Sequence, residues 1–305
     1  MFGIRPDGRR VRNMDPIIQA TPYFMPQRSD AQVFLHQKLD YEVLARYIAD
    51  QSAKGHKITF MQIIIAAYVR AMSQHPEVNR FVMNKRIYSR KELTCSFAIL
   101  RDTADDSIEE TTTKLHFDPT DTIYDVQQRV QKAVEVNRIP EESNFTLKIA
   151  RFMMSMPLLP NAIIGLAKTL DRYGLLPKVI IDASPFHTGM FLTNMASIGM
   201  HSVYHHIYNF GTTGVFLSMG TVERTVAMLP DGKVVRRRAL PVGITADERV
   251  CAGAMYARMF TTMLHLLNHP ELLEKPPETV RYDDRCEYHV PKPYSDKTTS
   301  EEVSA

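Results

Sequence analysis

Apolar residues recur along the 305-residue chain in two rhythms, a helical one of about 3.6 and a strand one of about 2, interleaved from end to end. Residues 1–30 follow neither; Pro6, Pro16, Pro22 and Pro26 punctuate them and they read as irregular. Alternation over 32–39 predicts a strand. Asp40 then offers an N-cap to a helix starting at Tyr41, with Val43, Leu44, Tyr47 and Ile48 on one face and an end near Gly55. Thr59 and Gln62 have the spacing of a capping box, in which the threonine oxygen accepts a first-turn N–H and the glutamine reaches back to the cap. They open a strongly apolar helix over 60–73, with Pro76 beyond its end.

Short strand character at 87–88 is followed by a better strand over 94–100. Asp121 or Thr122 caps a helix running to about Asn137. Two more helices are expected over 146–155 and 161–173, separated by Pro157 and Pro160, the second stopped at Gly174. Strands are expected at 178–181, 190–194 and 214–226. In Pro230-Asp231-Gly232 the proline presets one dihedral and the glycine permits positive φ, so 234–238 is the returning arm of a hairpin and 240–246 prolongs it. An amphipathic helix covers 252–267. Helices and strands mix throughout without repeat or linker. The expectation is one α/β (α+β) domain over 1–275 with a mixed sheet, then a polar, proline-rich, disordered tail over 276–305.

Charge and composition act by exclusion. The formal charge is only +3, and the basic residues are scattered apart from Arg236, Arg237 and Arg238 beside the turn, so no nucleic-acid footprint is expected. Cys95, Cys251 and Cys286 are odd in number and far apart, which gives neither a disulfide framework nor a metal spacing and suits a reducing cytoplasm. The first residues carry no apolar signal core. The most apolar stretch, 152–167, is interrupted by both prolines and falls short of a membrane span. Buried helices are expected there, with a membrane-surface hairpin as the alternative.

Three segments carry a resemblance. ITFMQIIIAAYVRAMSQHPEVN at 58–79 pairs a long core helix with a Pro-Glu-Val-Asn turn. FLTNMASIG at 191–199 is similar to a strand reading Thr-Ile-Ser-Asn-Leu-Gly-Ser-Ile-Gly. ITADERVCAGAMYARMF at 244–260 is similar to a strand, the signature Asp-His-Arg-Val-x-Asp-Gly-Ala and the helix after it. In this order and spacing they resemble the catalytic domain of the acyltransferase subunits of 2-oxoacid dehydrogenase complexes, over roughly 10–275. The resemblance implies a chloramphenicol-acetyltransferase-like sandwich, a homotrimer with its site between subunits, and coenzyme A or acyl-coenzyme A as substrate beside a small-molecule acyl acceptor. Nothing resembles a lipoyl domain or the small domain that docks partner enzymes, so a stand-alone catalytic-type domain is expected. The added length over 145–185 departs from the family.

Acyl transfer needs a base for the attacking group, a donor for the oxyanion of the tetrahedral intermediate, and a tunnel that aligns the substrates. By resemblance Thr193 falls on the family's hydroxyl donor and Glu248 on its general-base histidine. An ordinary glutamate, with a pKa of about 4.3, is poorly matched to a thiol of about 8.5, and burial is what would raise it. Glu248 therefore reads either as a tuned base or as a structural ion pair with Arg249. Ala252 replaces the Asp or Asn that orients the histidine, a coherent loss once the imidazole is gone. Asp247, Arg249, Gly253 and Ala254 match and read as fold-determining. His187, His201, His205 and His206 lie near the Thr193 strand, and His201 and His205 have a spacing that suits a metal on a helix. No Cys or carboxylate completes such a site, so no metal is expected. With Tyr204, Tyr208 and Phe210 these histidines read as a subunit contact. The chain is thus expected to be a coenzyme A-dependent acyltransferase with a diverged site, the alternative being a non-catalytic trimeric scaffold or regulatory relative.

Overall fold

The computed structural model describes residues 5–102, 108–138, 159–228, 230–284 and 286–289. Its main sheet runs in the order β2 (Gln32–Asp40), β10 (Val234–Asp247), β8 (Val215–Met219), β7 (Met190–Asn194), β5 (Leu93–Asp102) and β6 (Ile108–Phe117). β9 (Glu223–Met228) pairs with the first part of β10. β7 is parallel to both of its neighbours and the remaining pairs are antiparallel, so the sheet is mixed. A small sheet of β1 (Gly8–Arg10), β4 (Arg86–Arg90) and β3 (Phe81–Met83) lies beside it in sequence and is antiparallel throughout.

The helix that is apolar all round takes the most enclosed place, since only burial on every side removes such a surface from water. α3 (Phe60–Gln74) is buried continuously from Gln62 to Ser73, and the predicted capping box is formed: Thr59 Oγ1 accepts from Gln62 N at 3.3 Å while Gln62 Oε1 accepts from Thr59 N at 2.9 Å. Its Ile63, Ile64 and Ile65 share one core with Phe97, Leu192, Leu217 and Val242 of the sheet and with Tyr256, Met259 and Met263 of α7 (Gly253–Asn268). α2 (Tyr41–Ala53) and α4 (Ile123–Arg138) add to this layer, both starting where the polar caps predict: Asp40 accepts from Glu42 N, and Thr122 and Asp125 bond reciprocally. The α/β sandwich with a mixed sheet is as expected.

Several local expectations differ. The first thirty residues hold β1 and α1 (Pro16–Phe24). Asp15 caps α1, Pro16 occupies its first turn, where a missing N–H costs nothing, and Thr21 Oγ1 donates to the Ile18 carbonyl that Pro22 leaves unserved. The apolar run 178–181 is a short helix, α6 (Lys178–Ala183), opened by Pro177; four apolar residues do not distinguish strand from helix. Strand 214–226 is broken into β8 and β9 at Gly220, where a Cβ would lie 2.1 Å from the Ser202 nitrogen because 201–203 crosses there. The expected helix 146–155 lies outside the described residues. The second expected helix is α5 (Leu159–Arg172), and it differs from a buried one: Ile163, Ile164 and Leu166 are exposed. The stretch after residue 275 was read as a loose tail, yet Asp283, Cys286 and Tyr288 are buried and Arg80 bonds Asp283 at 2.6 and 2.7 Å. Its polar composition hid three anchoring residues. Among the described residues no helix is long and apolar enough to cross a membrane.

Candidate active site

Thr193 stands at the carboxyl end of β7, flanked on one side by β8 in parallel register, Thr193 opposite Ser218. On this half-buried residue the hydroxyl donates a weak bond of 3.7 Å to Met195 Sδ, a soft acceptor that a ligand oxygen could replace. The neighbouring Asn194 Oδ1 is buried without a partner. The chain then turns through Met195–Ile198 and reverses at Gly199, whose φ of 73° a side chain would disfavour. The returning segment crosses the sheet over Gly220 and Gly243, whose missing side chains leave room for 201–203. Ser218 Oγ anchors that crossing, accepting from Val203 N at 2.9 Å and donating to the Val203 carbonyl. His205 stacks on Phe216 at 3.9 Å.

The Glu248 loop closes β10 and is rigid for an electrostatic reason. Asp247, 1% exposed, receives Arg249 through bonds of 2.8 and 2.7 Å and Arg28 at 3.4 Å. Burial lowers the pKa of the Arg28 guanidinium, and Asp247 opposes that. Arg28 spends its other donors on the Tyr208, Val82 and Gly211 carbonyls, and Tyr256 Oη donates to the Asp247 carbonyl at 2.7 Å. Glu248 sits between two buried residues and is itself exposed; its N–H donates to Ala31 O at 3.0 Å. Arg249 is engaged by Asp247, so the ion pair considered for Glu248 is not formed, and its own chain supplies none of the burial that tuning would need. Ala252 is the N-cap of α7 and makes no side-chain cap bond. Burial pushes the Cys251 thiol up to about 12, which rules it out as a thiolate nucleophile near neutral pH.

Within one chain these two candidates are not brought together. Ser218, level with Thr193, faces Gly243 of β10, and Glu248 lies five residues further on at the other end of the sheet. Two strand spacings across and five residues along make a separation of roughly 19 Å. Neither an apolar cavity of about 120 Å³ between β2 and α7 nor a polar one of about 390 Å³ beside Arg28 is lined by Thr193 or Glu248.

The histidines fall elsewhere. His187 is buried, bonded to Ser184 Oγ at 2.8 Å and Asp171 at 3.2 Å, and is a structural link. His201 and His205 lie on no helix, so the metal spacing read from them does not arise. Glu92, His116 and Asp182 do converge, but Lys178 Nζ already bonds both carboxylates, so an ammonium fills the cation's place. Sequence reading missed Arg28: it lies in the stretch taken as irregular, and nothing local marks it as the partner of Asp247.

The frame is a mixed sheet backed by helices, with a threonine hydroxyl ending a central strand and a locked acidic–basic loop closing β10, two strands away. The profile of the 2-oxoacid dehydrogenases acyltransferase catalytic domain matches residues 25–104 and 184–274, more than half of the chain. The chain belongs to that family. Its structure is similar to a probable dihydrolipoamide acetyltransferase from Listeria monocytogenes, at 12% identity and a TM-score of 0.52 over 89% of this chain and 98% of that one. It is similar as well to the dihydrolipoamide acetyltransferase of Azotobacter vinelandii, at 14% identity and 0.52 over 86% and 94%. A truncated catalytic core of the 2-oxoacid dehydrogenase multienzyme complex from Thermoplasma acidophilum gives 13% and 0.50 over 86% and 99%. At such identities the likeness speaks for the fold. A search of curated proteins finds no match.

Proposed function

We propose that the protein transfers an acyl group from a coenzyme A thioester to a small-molecule acceptor, in a site assembled between neighbouring copies of a homotrimer. The observation that carries this reading is the Thr193 hydroxyl at the end of β7, held by a weak bond to Met195 Sδ and inside the segment that the family profile matches. Thr193 Oγ–H donates to the oxyanion as the acceptor's lone pair attacks the thioester carbon. The Glu248 carboxylate of the neighbouring copy takes the acceptor's proton or positions the acceptor; the C–S bond then breaks and the coenzyme A sulfur leaves with the electron pair and gains a proton. The separation of roughly 19 Å within one chain supports placing the two groups on different copies. Contact with a neighbour is also what would desolvate an exposed glutamate. No metal enters the reaction. The buried free cysteines suit a cytoplasmic location.

Calorimetric titration with coenzyme A and acetyl-coenzyme A tests this, followed by transfer assays on Thr193→Ala and Glu248→Gln. A micromolar site, about −8 kcal/mol, is expected, with turnover lost in both variants. Failure of both ligands to bind at millimolar concentration rejects it and leaves a second reading, a non-catalytic trimeric scaffold. That reading is favoured by one observation: Glu248 and Ala252 together replace the pair expected to carry and orient the base, and Ala252 makes no compensating bond.

A further inference from the structure

The polar cavity of about 390 Å³ is lined by neither candidate catalytic residue. The β3–β4 turn with Asn84 and Lys85, the α5 residues Lys168, Asp171 and Arg172, the segment 209–211 and the Arg28 and Arg249 side line it. The charges there do not balance. Among the lining residues, Asp171 pairs with Arg5, which Asp7 also holds, and Arg28 and Arg249 share Asp247. Three guanidiniums thus meet three carboxylates and cancel. Lys85, Lys168 and Arg172 remain, all exposed at the rim, and among the described residues none has a carboxylate partner. Lys168 and Arg172 are four apart on one helix and so share a face.

The turn supplies an independent sign. Asn84 and Lys85 both have positive φ, 49° and 58°, in the two-residue connection between Met83 and Arg86. Such a turn favours asparagine followed by glycine, because both positions are left-handed. Asparagine tolerates this, whereas lysine is disfavoured there, and such strain is often kept at functional positions. Its Nζ lies 5.3 Å above the Tyr23 ring, and Lys85 itself is part of the cavity lining.

We infer that this cavity is a binding site for a phosphorylated small molecule, a diphosphate or phosphate ester, held by Lys85, Lys168 and Arg172. Guanidinium and ammonium donors suit phosphate oxygens, and a cleft with an excess of one sign of charge, here five cations against Asp171, concentrates the opposite sign.

The probe is inorganic pyrophosphate, titrated calorimetrically into the full chain at low and moderate salt. Binding is expected to weaken with salt and to fall by at least about tenfold in Arg172→Gln and in Lys85→Gly. Lys85→Gly should at the same time raise the melting temperature by relieving the turn, an opposition that a purely structural lysine would not produce. Competition separates the sources of phosphate. Displacement by coenzyme A but not by its 3′-dephospho form would assign the site to that nucleotide's phosphate; displacement by neither would assign it to a separate phosphorylated ligand. No binding at millimolar pyrophosphate, or undiminished binding in the triple variant Lys85→Gln, Lys168→Gln, Arg172→Gln, would overturn the inference.

Discussion

Thr193 and Glu248 stand at opposite ends of the same sheet, Thr193 level with Gly243 across β8 and Glu248 five residues beyond. A site that needs both must therefore draw them from two chains. Inactive Thr193→Ala and Glu248→Gln proteins, unfolded together and refolded as a mixture, should recover up to roughly a quarter of wild-type turnover, because about one interface in four of a mixed cyclic trimer carries both native residues. Activity no higher than that of the separate variants would show that the site is not shared.

Arg28 and Arg249 depend on one carboxylate. Asp247→Asn leaves two buried guanidiniums without a counter-charge and should cost on the order of 3–5 kcal/mol of unfolding free energy, measured by denaturant titration at fixed protein concentration. A loss below about 1 kcal/mol would mean that the carbonyls around Arg28 carry the loop unaided.

At α7 the cap is vacant. Ala252 already has extended geometry, φ −63° and ψ 146°, so Ala252→Ser needs no backbone change to place an oxygen over the first-turn N–H groups. A gain of about 1 kcal/mol is expected by thermal or chemical unfolding. An unchanged midpoint would indicate that those N–H groups are served by another route.

Lys114 gives a dependence on alkaline pH. Burial lowers its pKa to about 8, from 10.5 when free, while it donates to the Ile181 and His187 carbonyls. Between these values the unfolded chain binds more protons than the folded one, so this group's contribution to stability rises with pH, by at most about 1.4 kcal/mol per unit. Buried Tyr and Cys groups with raised pKa act in the opposite sense, so the comparison is with Lys114→Met. The wild type should gain on that variant from pH 8 to 10.5; a constant difference would place the lysine in solvent.

Much of the frame could be read directly. The Thr59–Gln62 box, the Asp40 cap, the Pro230–Gly232 turn and the apolar face of α7 are local signals, carried by residues within a few positions of one another, and each appears where predicted. The errors share a cause. β6 was missed because it is an edge strand rich in threonine and charge, with little apolar alternation to mark it. α6 was taken for a strand because four apolar residues suit either form. The break at Gly220 depends on a segment nearly twenty residues earlier crossing above it.

By itself, then, the sequence determined the class of fold, the identity of the central helix and the family, because these rest on periodicity, capping and motif order, which are properties of neighbouring residues. Tertiary structure alone decided that Arg28 locks Asp247, that Glu248 faces outward, that Thr193 lies far from it in the same chain, and that Lys85, Lys168 and Arg172 surround one cavity. Apart from the neighbouring Lys168 and Arg172, those relations join residues from about fifty-five to more than two hundred positions apart. Their energies come from burial and charge in three dimensions, and no local pattern encodes them.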